Sequence, residues 1–436
     1  MSSAVIGASI VRPRRAGPHG LPRLLAGVSD DGRPESLSRH LHRHGTASDG
    51  ARGEDLISVL EASGLTGRGG AAYPTGSKLR AVTAARRRPV VLVNGTEAEP
   101  TSGKDRALMR AAPHLVLDGA VLAAEALEAK EVVVAVGRRA ALAQAALVAS
   151  IADRARGGID ARVSIRVATV PDRFVAGEET ALIRFLNGGP AKPTFTPPRP
   201  FERGIGGAPT LVLNVETLAH VALIARFGSA WFRQLGTRRE PGSTLVTITG
   251  AVRRAGVHEI ELGTPFTRLV DEAGGLTGRV SGFLVGGYFG TWVRAETALG
   301  LRLVGAELAP RGAALGAGAI VALPADTCAI GEVARVARYL ASESAGQCGP
   351  CVHGLAAIAG GLDRIAAGNG DDRAQLARWV EVVRGRGACK HPDGATRFVS
   401  SALDVFADEV RTHLRYGRCR ARTAGVLPVL QPPEGR

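Results

Sequence analysis

The sequence predicts an α/β domain with a parallel, Rossmann-like sheet, then a small β-rich domain and a C-terminal helical bundle. In the first half of the chain, short β-branched runs alternate with helical stretches, which is typical of βαβ units. Between about residues 243 and 322 the pattern changes to closely spaced short strands. From about residue 329 onward, apolar residues recur with the period of a helix.

These patterns divide the chain into five segments. A chain of 436 residues is too long for one compact domain, and 45% hydrophobic residues are enough for several cores. The first segment is rich in Gly, Pro, Arg, Ser and His, which favours poor order. The predicted segments are a poorly ordered N-terminal segment (1–52), the α/β domain (53–240), the β-rich domain (241–326), the helical domain (327–420) and a tail (421–436).

Two β-branched runs define the sheet of the α/β domain. Val90–Val93 and Val132–Val136 are predicted as buried parallel strands, with one helix over Met109–Ala129 between them. Ligands of such sheets bind at the carboxyl ends of the strands. Asn94 directly follows the first strand, so we expect its side chain to reach a ligand.

The elements of the two later domains follow from the change of period. The β-rich domain has predicted strands at Thr244–Thr249, Gly256–Glu261 and Phe283–Val285, and a helix over Pro265–Ala273 that ends at a Gly-Gly pair. The helical domain has three predicted apolar stripes, at Ile330–Leu340, Leu355–Ile365 and Val399–Leu414.

Three of the five cysteines predict a metal or cluster site in the helical domain. Cys348 and Cys351 form a C-x-x-C pair, and Cys389 follows about 38 residues later. Such a pair at a turn directs two sulfurs at one centre, and the thiolate is the ligating form. The residues alone leave open an iron–sulfur cluster, a zinc ion completed by a histidine, and no metal. Cys328 is predicted to be a small buried residue, and Cys419 to have no function.

Three histidines alternate in the N-terminal segment, at His40, His42 and His44. On a strand they would share one face and could bind a metal. The alternative is that they are solvated residues of a polar segment.

Composition restricts the classes of partner. The formal charge of +15 comes mainly from arginine, and no helix-turn-helix, zinc-finger or aromatic RNA-binding pattern accompanies it, so specific nucleic-acid binding is not expected. A basic surface suits an acidic protein partner such as a ferredoxin. No apolar run reaches the roughly 18 residues of a membrane span, so no direct membrane insertion is expected. Because cysteines are sparse and the Arg12–Arg15 stretch has no apolar run after it, we expect a soluble cytoplasmic protein.

A glycine-rich loop between Gly64 and Lys78 predicts a phosphate site. Its backbone N–H groups can approach a phosphate, and its lysine can neutralise the charge. Six further motifs follow it in order: Asn94-Gly-Thr-Glu97-Ala-Glu99, Lys104-Asp105-Arg106, Gly177-Glu178-Glu179-Thr180, Pro193 to Pro198, Asn214-Val-Glu216-Thr217, and Glu343 to Cys351. In this order they resemble the FMN- and NADH-binding, iron–sulfur subunit of respiratory complex I (the 51 kDa, F-type subunit of NADH:ubiquinone oxidoreductase). The motifs also resemble the related subunits of NAD-linked hydrogenases and formate dehydrogenases. In this chain the resemblance extends from about Asp55 to about Leu414.

The resemblance implies a ubiquitin-like β-grasp (SLBB-type) module, an iron–sulfur helical bundle and bound FMN. It places the flavin phosphate and ribityl chain on the loop, the flavin next to Asn94 and Glu97, and the phosphate end near Asn214 and Thr217. It gives Glu97 and Glu179 the catalytic positions, with Glu99 beside them to orient NADH. The full implied cofactor-binding set is Gly67, Arg68, Gly69, Gly70, Tyr73, Lys78, Asn94, Glu97, Glu99, Gly177, Glu178, Glu179, Asn214 and Thr217. The alternative is structural: the glycines permit a tight turn and Glu178 caps a helix.

The implied cluster is of the 4Fe–4S type and is held by four cysteines in the family. Here the first of the four positions is Ala345, so Cys348, Cys351 and Cys389 remain. The fourth iron could be held by a nearby group or by water, or it could be absent, leaving three irons. The four candidate groups are His353, His391, Asp393 and Ser344.

Departures from the family pattern accumulate on the nicotinamide side. A carboxylate of the family's Asn-x-Asp-Glu motif is replaced by Thr96, and an aromatic residue by Arg199. The family's tyrosine before Gly-Glu-Glu is Phe174, the first residue of its Asn-Asn pair is Leu213, and an aromatic residue near Leu79–Ala81 is missing. Because aromatic contacts contribute about 0.5–1.5 kcal/mol each, NADH binding is less secure than FMN binding.

The expected function is electron transfer. A hydride from NAD(P)H would reach FMN, and single electrons would pass to the cluster and on to a partner such as ferredoxin. The alternative is a non-catalytic docking or electron-relay subunit that has lost NADH binding. In the extreme form of this alternative, FMN binding is lost as well.

Overall fold

The computed structural model describes residues 9–11, 20–29, 32–46, 50–85 and 87–430, and it contains the three predicted architectures. The α/β part consists of α1 (Leu37–His44), α2 (Gly53–Ser63), α3 (Thr75–Thr83), β1 (Val90–Gly95), α4 (Lys104–Ala111), α5 (Pro113–Ala126), β2 (Glu131–Gly137), α6 (Ala141–Arg156), β3 (Ser164–Val170), α7 (Glu179–Leu186), β4 (Thr210–Asn214) and α8 (Val215–Phe232).

The sheet of this part is parallel throughout, with the strand order β3-β2-β1-β4. Its first two strands are rich in valine and almost fully buried, because helices cover the sheet. From β1 the chain proceeds to β2 and β3 on one side, whereas β4 lies on the other side. The order therefore reverses between β1 and β4, and ligands of open α/β sheets bind at such a point.

The two predicted strands are confirmed, but the single helix predicted over Met109–Ala129 is wrong. The chain forms α4 and α5 instead, with a bend of 97° between them. Pro113 is the first residue of α5, where its missing N–H costs nothing, whereas inside one long helix it would interrupt the backbone hydrogen bonds.

In the described ranges no single helix is long and apolar enough to span a membrane. The pair α4 and α5 meets that test only when both are counted together across the bend, and most of its residues are buried.

The second part is a five-stranded sheet with the order β6-β5-β9-β7-β8. Its central pair β5–β9 is parallel, and the other pairs are antiparallel, which is the β-grasp arrangement that the resemblance implies. Phe266 and Phe283 pack in its core with ring centroids 4.7 Å apart. The elements are β5 (Ser243–Gly250), β6 (Gly256–Glu261), α9 (Phe266–Glu272), β7 (Val280–Val285), β8 (Thr291–Arg294), α10 (Ala295–Leu299), α11 (Gly305–Leu308) and β9 (Ala319–Pro324).

The third part is the predicted helical bundle. It consists of α12 (Ala329–Ser342), α13 (Leu355–Ala366), α14 (Arg373–Val383), α15 (His391–Val405) and α16 (Ala407–Tyr416). The first two stripes correspond to α12 and α13, but the third stripe spans two helices that meet at Phe406. The sequence analysis missed α14, whose buried residues are only Leu376, Val380 and Val383. The exact domain boundaries stay predictions.

Residues 20–29 and 32–46 belong to the segment predicted to be poorly ordered, and in the structure they pack against the core. The carboxylate of Glu259 accepts backbone hydrogen bonds from Arg23, Leu24 and Leu25 at 2.8–3.1 Å, and the guanidinium of Arg23 lies over the ring of Trp231. Buried hydrogen bonds and leucine side chains fix this stretch to the core, which composition alone does not reveal. The segments 1–8, 12–19, 30–31 and 47–49 lie outside the described residues.

The alternating histidines lie on a helix and not on a strand. On α1 the period brings His40 and His44 to the buried side, four residues apart, and leaves His42 exposed. The ring of His40 lies 2.9 Å from Asp118 and 3.5 Å from Glu35. Burial opposes a proton on His40, but its hydrogen bonds to Asp118 and Glu35 prevail and raise its pKa.

We expect acid to destabilise the fold through His114, a buried histidine that contacts His40. Burial lowers the pKa of His114, whose ring packs against His40, to about 4. In the unfolded chain a histidine titrates near 6.5, so the unfolded state binds more protons between about pH 6.5 and pH 4, and stability falls as pH falls through this window. Denaturant unfolding at pH 7.5 and pH 5 should show a smaller loss for His114→Asn than for the wild type. His42→Asn, at an exposed position, is the control, and equal losses in both variants would contradict the assignment.

Candidate flavin and iron–sulfur site

Two asparagines mark the reversal point of the parallel sheet. Asn94 and Asn214 lie side by side in the β1–β4 register, at the carboxyl ends of their strands. The amide Nδ2 of Asn94 donates to the carbonyl oxygen of Gly177 at 2.8 Å, and its Oδ1 accepts from the Thr96 hydroxyl at 2.7 Å. The side-chain oxygen of Asn214 caps α8 by accepting from the backbone N–H of Thr217. Both predicted residues therefore border the crevice where a ligand of this sheet would bind.

The glycine-rich loop closes over the N-terminus of α8. The loop is held together by the backbone N–H of Gly67, which donates to the carbonyl oxygen of Tyr73 at 2.8 Å. It is held to α8 by the backbone N–H of Arg68, which donates to the hydroxyl of Thr217 at 2.9 Å. The Arg68 side chain turns away toward the carbonyl oxygens of Pro241 and Ser243. This arrangement brings the loop, α8 and β4 to one place.

The crevice fits an anionic phosphate. In the described chain, the backbone N–H groups of Gly69 and Gly70 have no hydrogen-bond acceptor, so both can donate to a ligand. A Cβ at Gly69 would lie 3.5 Å from the Cβ of Asn214 and narrow the gap, and Gly70 has a φ of +107°, which favours glycine. Lys78 supplies a cation. Unpaired amides beside a lysine are the donor set that holds phosphates at such loops.

Lys78 and Glu179 form an ion pair across the crevice. Their Nζ and Oε2 atoms are 3.0 Å apart, and both side chains remain partly exposed. Tyr73, which belongs to the same loop, is 54% exposed and presents its ring to solvent. Of the two predicted catalytic residues, Glu179 therefore lies in the open part of the crevice.

Three other predicted carboxylates are engaged in local hydrogen bonds. Glu97 accepts from the backbone N–H groups of Asp105 and Arg106 at 2.8 and 3.0 Å, and so binds the N-terminus of α4. Glu99 accepts from Thr101 and from the backbone N–H of Tyr288, and Glu178 caps α7. Burial raises the pKa of Glu99. These contacts agree with the structural alternative for Glu178, and the roles of all three toward a cofactor stay predictions.

A buried charge network lies directly behind the crevice. The Nζ of Lys104 lies 3.0 Å from Asp105 and 2.8 Å from Glu216, and all three side chains are at most 8% exposed. Asp105 also accepts from the Nδ2 of Asn214, and Glu216 accepts from the backbone N–H of Leu245 on β5. The network joins the crevice to the β-grasp sheet. Sequence reasoning identified these residues as motif members but assigned them no role.

A second groove opens beside the first. It lies beyond the ends of β1, β2 and β3. The residues that line it include Thr96, Glu97, Arg106, Gly137, Arg139, Asp172, Arg173 and Leu430.

Among the departures from the family pattern, Leu213 is buried and the side chain of Arg199 is exposed. Phe174 packs against Phe289 of the β7–β8 turn, with ring centroids 4.7 Å apart, and its ring also lies against Tyr339 and His391 of the helical domain.

The three predicted cluster cysteines come together between α12 and α15. Burial, followed by the neighbouring thiols of Cys348 and Cys389, raises the pKa of Cys351 to about 12. Burial also raises the pKa of Cys389, and the nearby carboxylate of Glu178 adds to this rise. The three thiols are therefore neighbours in one site, as a shared metal ion or cluster requires.

The position of the missing family cysteine is occupied by Ala345, which is buried and donates its backbone N–H toward the sulfur of Cys351. Among the four candidate replacements, His353 is exposed, Ser344 is half-buried, and Asp393 accepts hydrogen bonds from Gly385 and Lys390. His391 is buried, and its Nε2 lies 2.8 Å from the carbonyl oxygen of Leu340. Its Nδ1 is buried and has no partner in the described chain, which leaves that nitrogen available as a ligand.

The turn before α7 lies between the crevice and the cysteines. On one side its Gly177 carbonyl accepts from Asn94, and on the other side Glu178 lies near Cys389. Side chains bind the cysteine loop to this region as well. Arg184 donates to Gln347, Gln347 donates to the carbonyl oxygen of Pro193, and Arg173 pairs with Glu343 at 3.0 Å. The crevice and the thiol site are therefore parts of one site.

Comparison with known proteins identifies this architecture. Residues 60–223 match the Nuo51 FMN-binding domain, 245–283 an SLBB domain, and 331–413 the NADH-ubiquinone oxidoreductase-F iron-sulfur binding region. The F-type subunit of NADH-quinone oxidoreductase from Mycobacterium bovis is 34% identical over 382 residues, which are 84% of this chain and 86% of the relative. The chain belongs to the family of F-type subunits of NADH-quinone oxidoreductase.

Other members of this F-type family support the same assignment. The corresponding protein of Salmonella typhimurium is 30% identical over 413 residues, covering 89% of this chain and 92% of the relative. The solved structure of an NAD+-reducing [NiFe]-hydrogenase in the H2-reduced state superimposes with a TM-score of 0.82, at 30% identity, over 94% of this chain and 68% of that one. These matches confirm the predicted family, an oxidoreductase family of the NADH dehydrogenase type, and the two predicted cofactors, FMN and an iron–sulfur cluster.

Proposed function

We propose that this F-type family member oxidises NADH at bound FMN and delivers single electrons through its iron–sulfur cluster to a partner protein. The observation that carries the proposal is the turn at Gly177–Glu179, which borders the phosphate-type crevice on one side and the cysteine site on the other. FMN supplies the conversion of a two-electron donor into one-electron steps when it is bound. The chain contributes position and charge.

The residues of the crevice have separable roles in this proposal. The unpaired amides of Gly69 and Gly70, together with Lys78, hold the flavin phosphate. Asn94 and Asn214, fixed by their neighbours, present amides to the ribityl chain and ring. Glu179 lies in the open part of the crevice, where it can accept a hydrogen bond from the ribose of the dinucleotide.

The dinucleotide is proposed to bind where the second groove adjoins the crevice. Arg106, Arg139 and Arg173 line that groove and are paired with Glu97, Asp172 and Glu343, so their guanidinium groups would exchange these carboxylates for the diphosphate of the dinucleotide. Tyr73 adds an exposed aromatic face beside the crevice. Thr96, whose hydroxyl is bonded to Asn94, replaces a carboxylate of the family motif there and so removes one negative charge from the groove.

On the exit side, we assign Cys348, Cys351 and Cys389 as the thiolate ligands and His391 as the fourth ligand. The relatives are named as subunits, so the acceptor is taken to be another protein of an electron-transfer assembly. The net charge of +15 favours an acidic acceptor of the ferredoxin class in the cytoplasm.

Anaerobic mixing with NADH tests the function directly. Flavin-loaded protein should lose its flavin absorption when NADH is added, and the absorption should return in air. The alternative, a non-catalytic docking or relay subunit, predicts protein that binds its redox partner yet leaves the flavin absorption unchanged by NADH, and that outcome would remove the dehydrogenase assignment.

A substitution of Lys78 tests whether the crevice binds the flavin phosphate. Lys78→Met removes the cation of the crevice, and because a charged hydrogen bond contributes about 1.5–3 kcal/mol, FMN affinity should fall about 10- to 100-fold. Titration of the apoprotein with FMN, followed by flavin fluorescence, measures it. Lys130→Met, at an exposed lysine, is the matched control. An unchanged dissociation constant in Lys78→Met would place the phosphate elsewhere.

A further inference from the structure

A second group of metal-ligand side chains lies at the opposite end of α12 from the cluster cysteines. Cys328, Glu409, His413 and Cys419 each place one ligand atom within 4.8 Å of the other three. They come from three separate segments: the turn before α12, the helix α16 and the stretch that links α16 to the C-terminal tail. Cys328 was predicted to be a small buried residue and Cys419 to have no function, since these cysteines are 91 residues apart and have no motif spacing.

Three of the four ligand atoms have separations close to those of a tetrahedral site. The sulfur of Cys328 lies 3.3 Å from Oε1 of Glu409 and 3.4 Å from Nε2 of His413, and these two atoms are 3.8 Å apart. For zinc, bond lengths of about 2.3 Å to sulfur and 2.0–2.2 Å to nitrogen and oxygen give tetrahedral separations of about 3.5–3.7 Å for the two sulfur edges and about 3.3–3.5 Å for the nitrogen–oxygen edge. The observed edges lie within about 0.5 Å of these separations, a difference that small side-chain shifts would close.

The surroundings orient the ligand atoms toward one centre. The backbone N–H of Gly331 donates to the sulfur of Cys328 at 3.2 Å, and the backbone N–H of Ile330 donates to Oε1 of Glu409 at 3.0 Å. Both donors belong to the first turn of α12, which favours negative charge. Without a cation, the single S–H of Cys328 can be donated to only one of the two acceptors, Glu409 and His413.

The charge of the site also suits a divalent cation. Two thiolates and one carboxylate carry three negative charges, so a divalent ion leaves a single negative charge. Arg418, Arg420 and Arg422 line the same cavity of about 900 Å³ and can balance it. Sulfur and imidazole ligands in a tetrahedral set select zinc over magnesium or calcium.

We propose that Cys328, Glu409, His413 and Cys419 bind a structural zinc ion that fastens the C-terminal tail to the helical bundle. The site is separate from the iron–sulfur cluster, because the 14 residues of α12 span about 20 Å between them. Beyond Cys419 the tail pairs with residue 327 through Arg422, and Leu427 is fully buried and donates its N–H to Glu332. Zinc at this place closes a loop of about 90 residues and so reduces the freedom of the unfolded tail.

Metal analysis of the full-length protein, with flavin and cluster in place, tests the proposal. About one zinc per chain is expected in addition to iron. Cys419→Ser and His413→Asn should each lower zinc content at least tenfold and leave iron and flavin contents unchanged. His42→Asn, at an exposed histidine, should keep its zinc. Cobalt replacing zinc should produce the intense thiolate-to-metal absorption of a tetrahedral sulfur-ligated site.

Proteolysis provides a readout of the structural role. After chelation of zinc, trypsin should cleave faster at the arginines between residues 415 and 422, and added zinc should restore resistance. Three results would overturn the proposal: zinc-free protein from zinc-containing medium, zinc retained in the double variant Cys419→Ser/His413→Asn (an adventitious ion only), or a native disulfide between Cys328 and Cys419 in non-reducing mass spectrometry.

Discussion

Replacing Lys104 by methionine should lower the free energy of unfolding by about 3–5 kcal/mol, because it leaves buried carboxylates without their cation. The Nζ of Lys104 lies within 3.0 Å of both Asp105 and Glu216, and the side chain of Glu216 is fully buried. Together the two carboxylates raise the pKa of Lys104, although burial opposes it. The lysine is therefore charged at neutral pH, and a neutral residue cannot balance the two carboxylates.

The loss should extend to the flavin site. Asp105 holds the Nδ2 of Asn214 and the backbone N–H of Glu216 at the start of α8. When Asp105 loses its cation, we expect the Asn214 side of the crevice to become less ordered and FMN retention to fall. Denaturant unfolding measures the stability, and the flavin-to-protein ratio after gel filtration measures the retention.

Two variants make this result interpretable. Lys130→Met changes an exposed lysine and should shift stability by no more than about 0.5 kcal/mol. Adding Glu216→Gln to Lys104→Met removes one of the two unpaired charges and should recover part of the loss. Equal stability of Lys104→Met and Lys130→Met would mean that the buried charge network does not stabilise the fold.

The local pattern of apolar residues was sufficient to predict those helices and strands that form from one continuous stretch of sequence. The valine runs of β1 and β2 and the stripes of α12 and α13 carry their own period, so they were predicted with nearly correct bounds. The bend at Pro113 was missed because apolar residues continue on both sides of it and hide the break. The helical period predicted helix on both sides of Pro113 correctly, but the proline divides this stretch into two helices.

Contacts between distant segments could not be predicted. The ordered residues 20–29 depend on Glu259, a residue of another domain, and the site formed by Cys328 and Cys419 depends on the path of the tail. The carboxylates of Glu97 and Glu178 show a related difficulty. A carboxylate in a glycine-rich motif can contact a cofactor or cap a helix, and only the neighbouring backbone N–H groups distinguish the two roles.

Cys351→Ala should remove the iron–sulfur cluster while FMN remains bound. Cys351 is buried at the centre of the three thiols, and its loss leaves two cysteines for a cluster that ordinarily takes four. Iron and sulfide content should fall from about four atoms each per chain to near zero. The reduced protein should lose its paramagnetic-resonance signal, yet NADH should still bleach the flavin, since the crevice residues are unchanged.

The same variant distinguishes reduction of the flavin by NADH from the transfer of electrons onward to the acceptor protein. Reduction of a ferredoxin-type acceptor should fall at least tenfold in Cys351→Ala, because the cluster ligands lie beyond the Gly177–Glu179 turn from the flavin crevice. Ser344→Ala, in the same loop, should retain both cluster and acceptor reduction, because His391 is the assigned fourth ligand. Ala345→Cys should have the opposite effect to Cys351→Ala, since a fourth thiolate at this buried position would slow the loss of iron in air. Iron that persists in Cys351→Ala at the wild-type level would show that these cysteines do not hold the cluster.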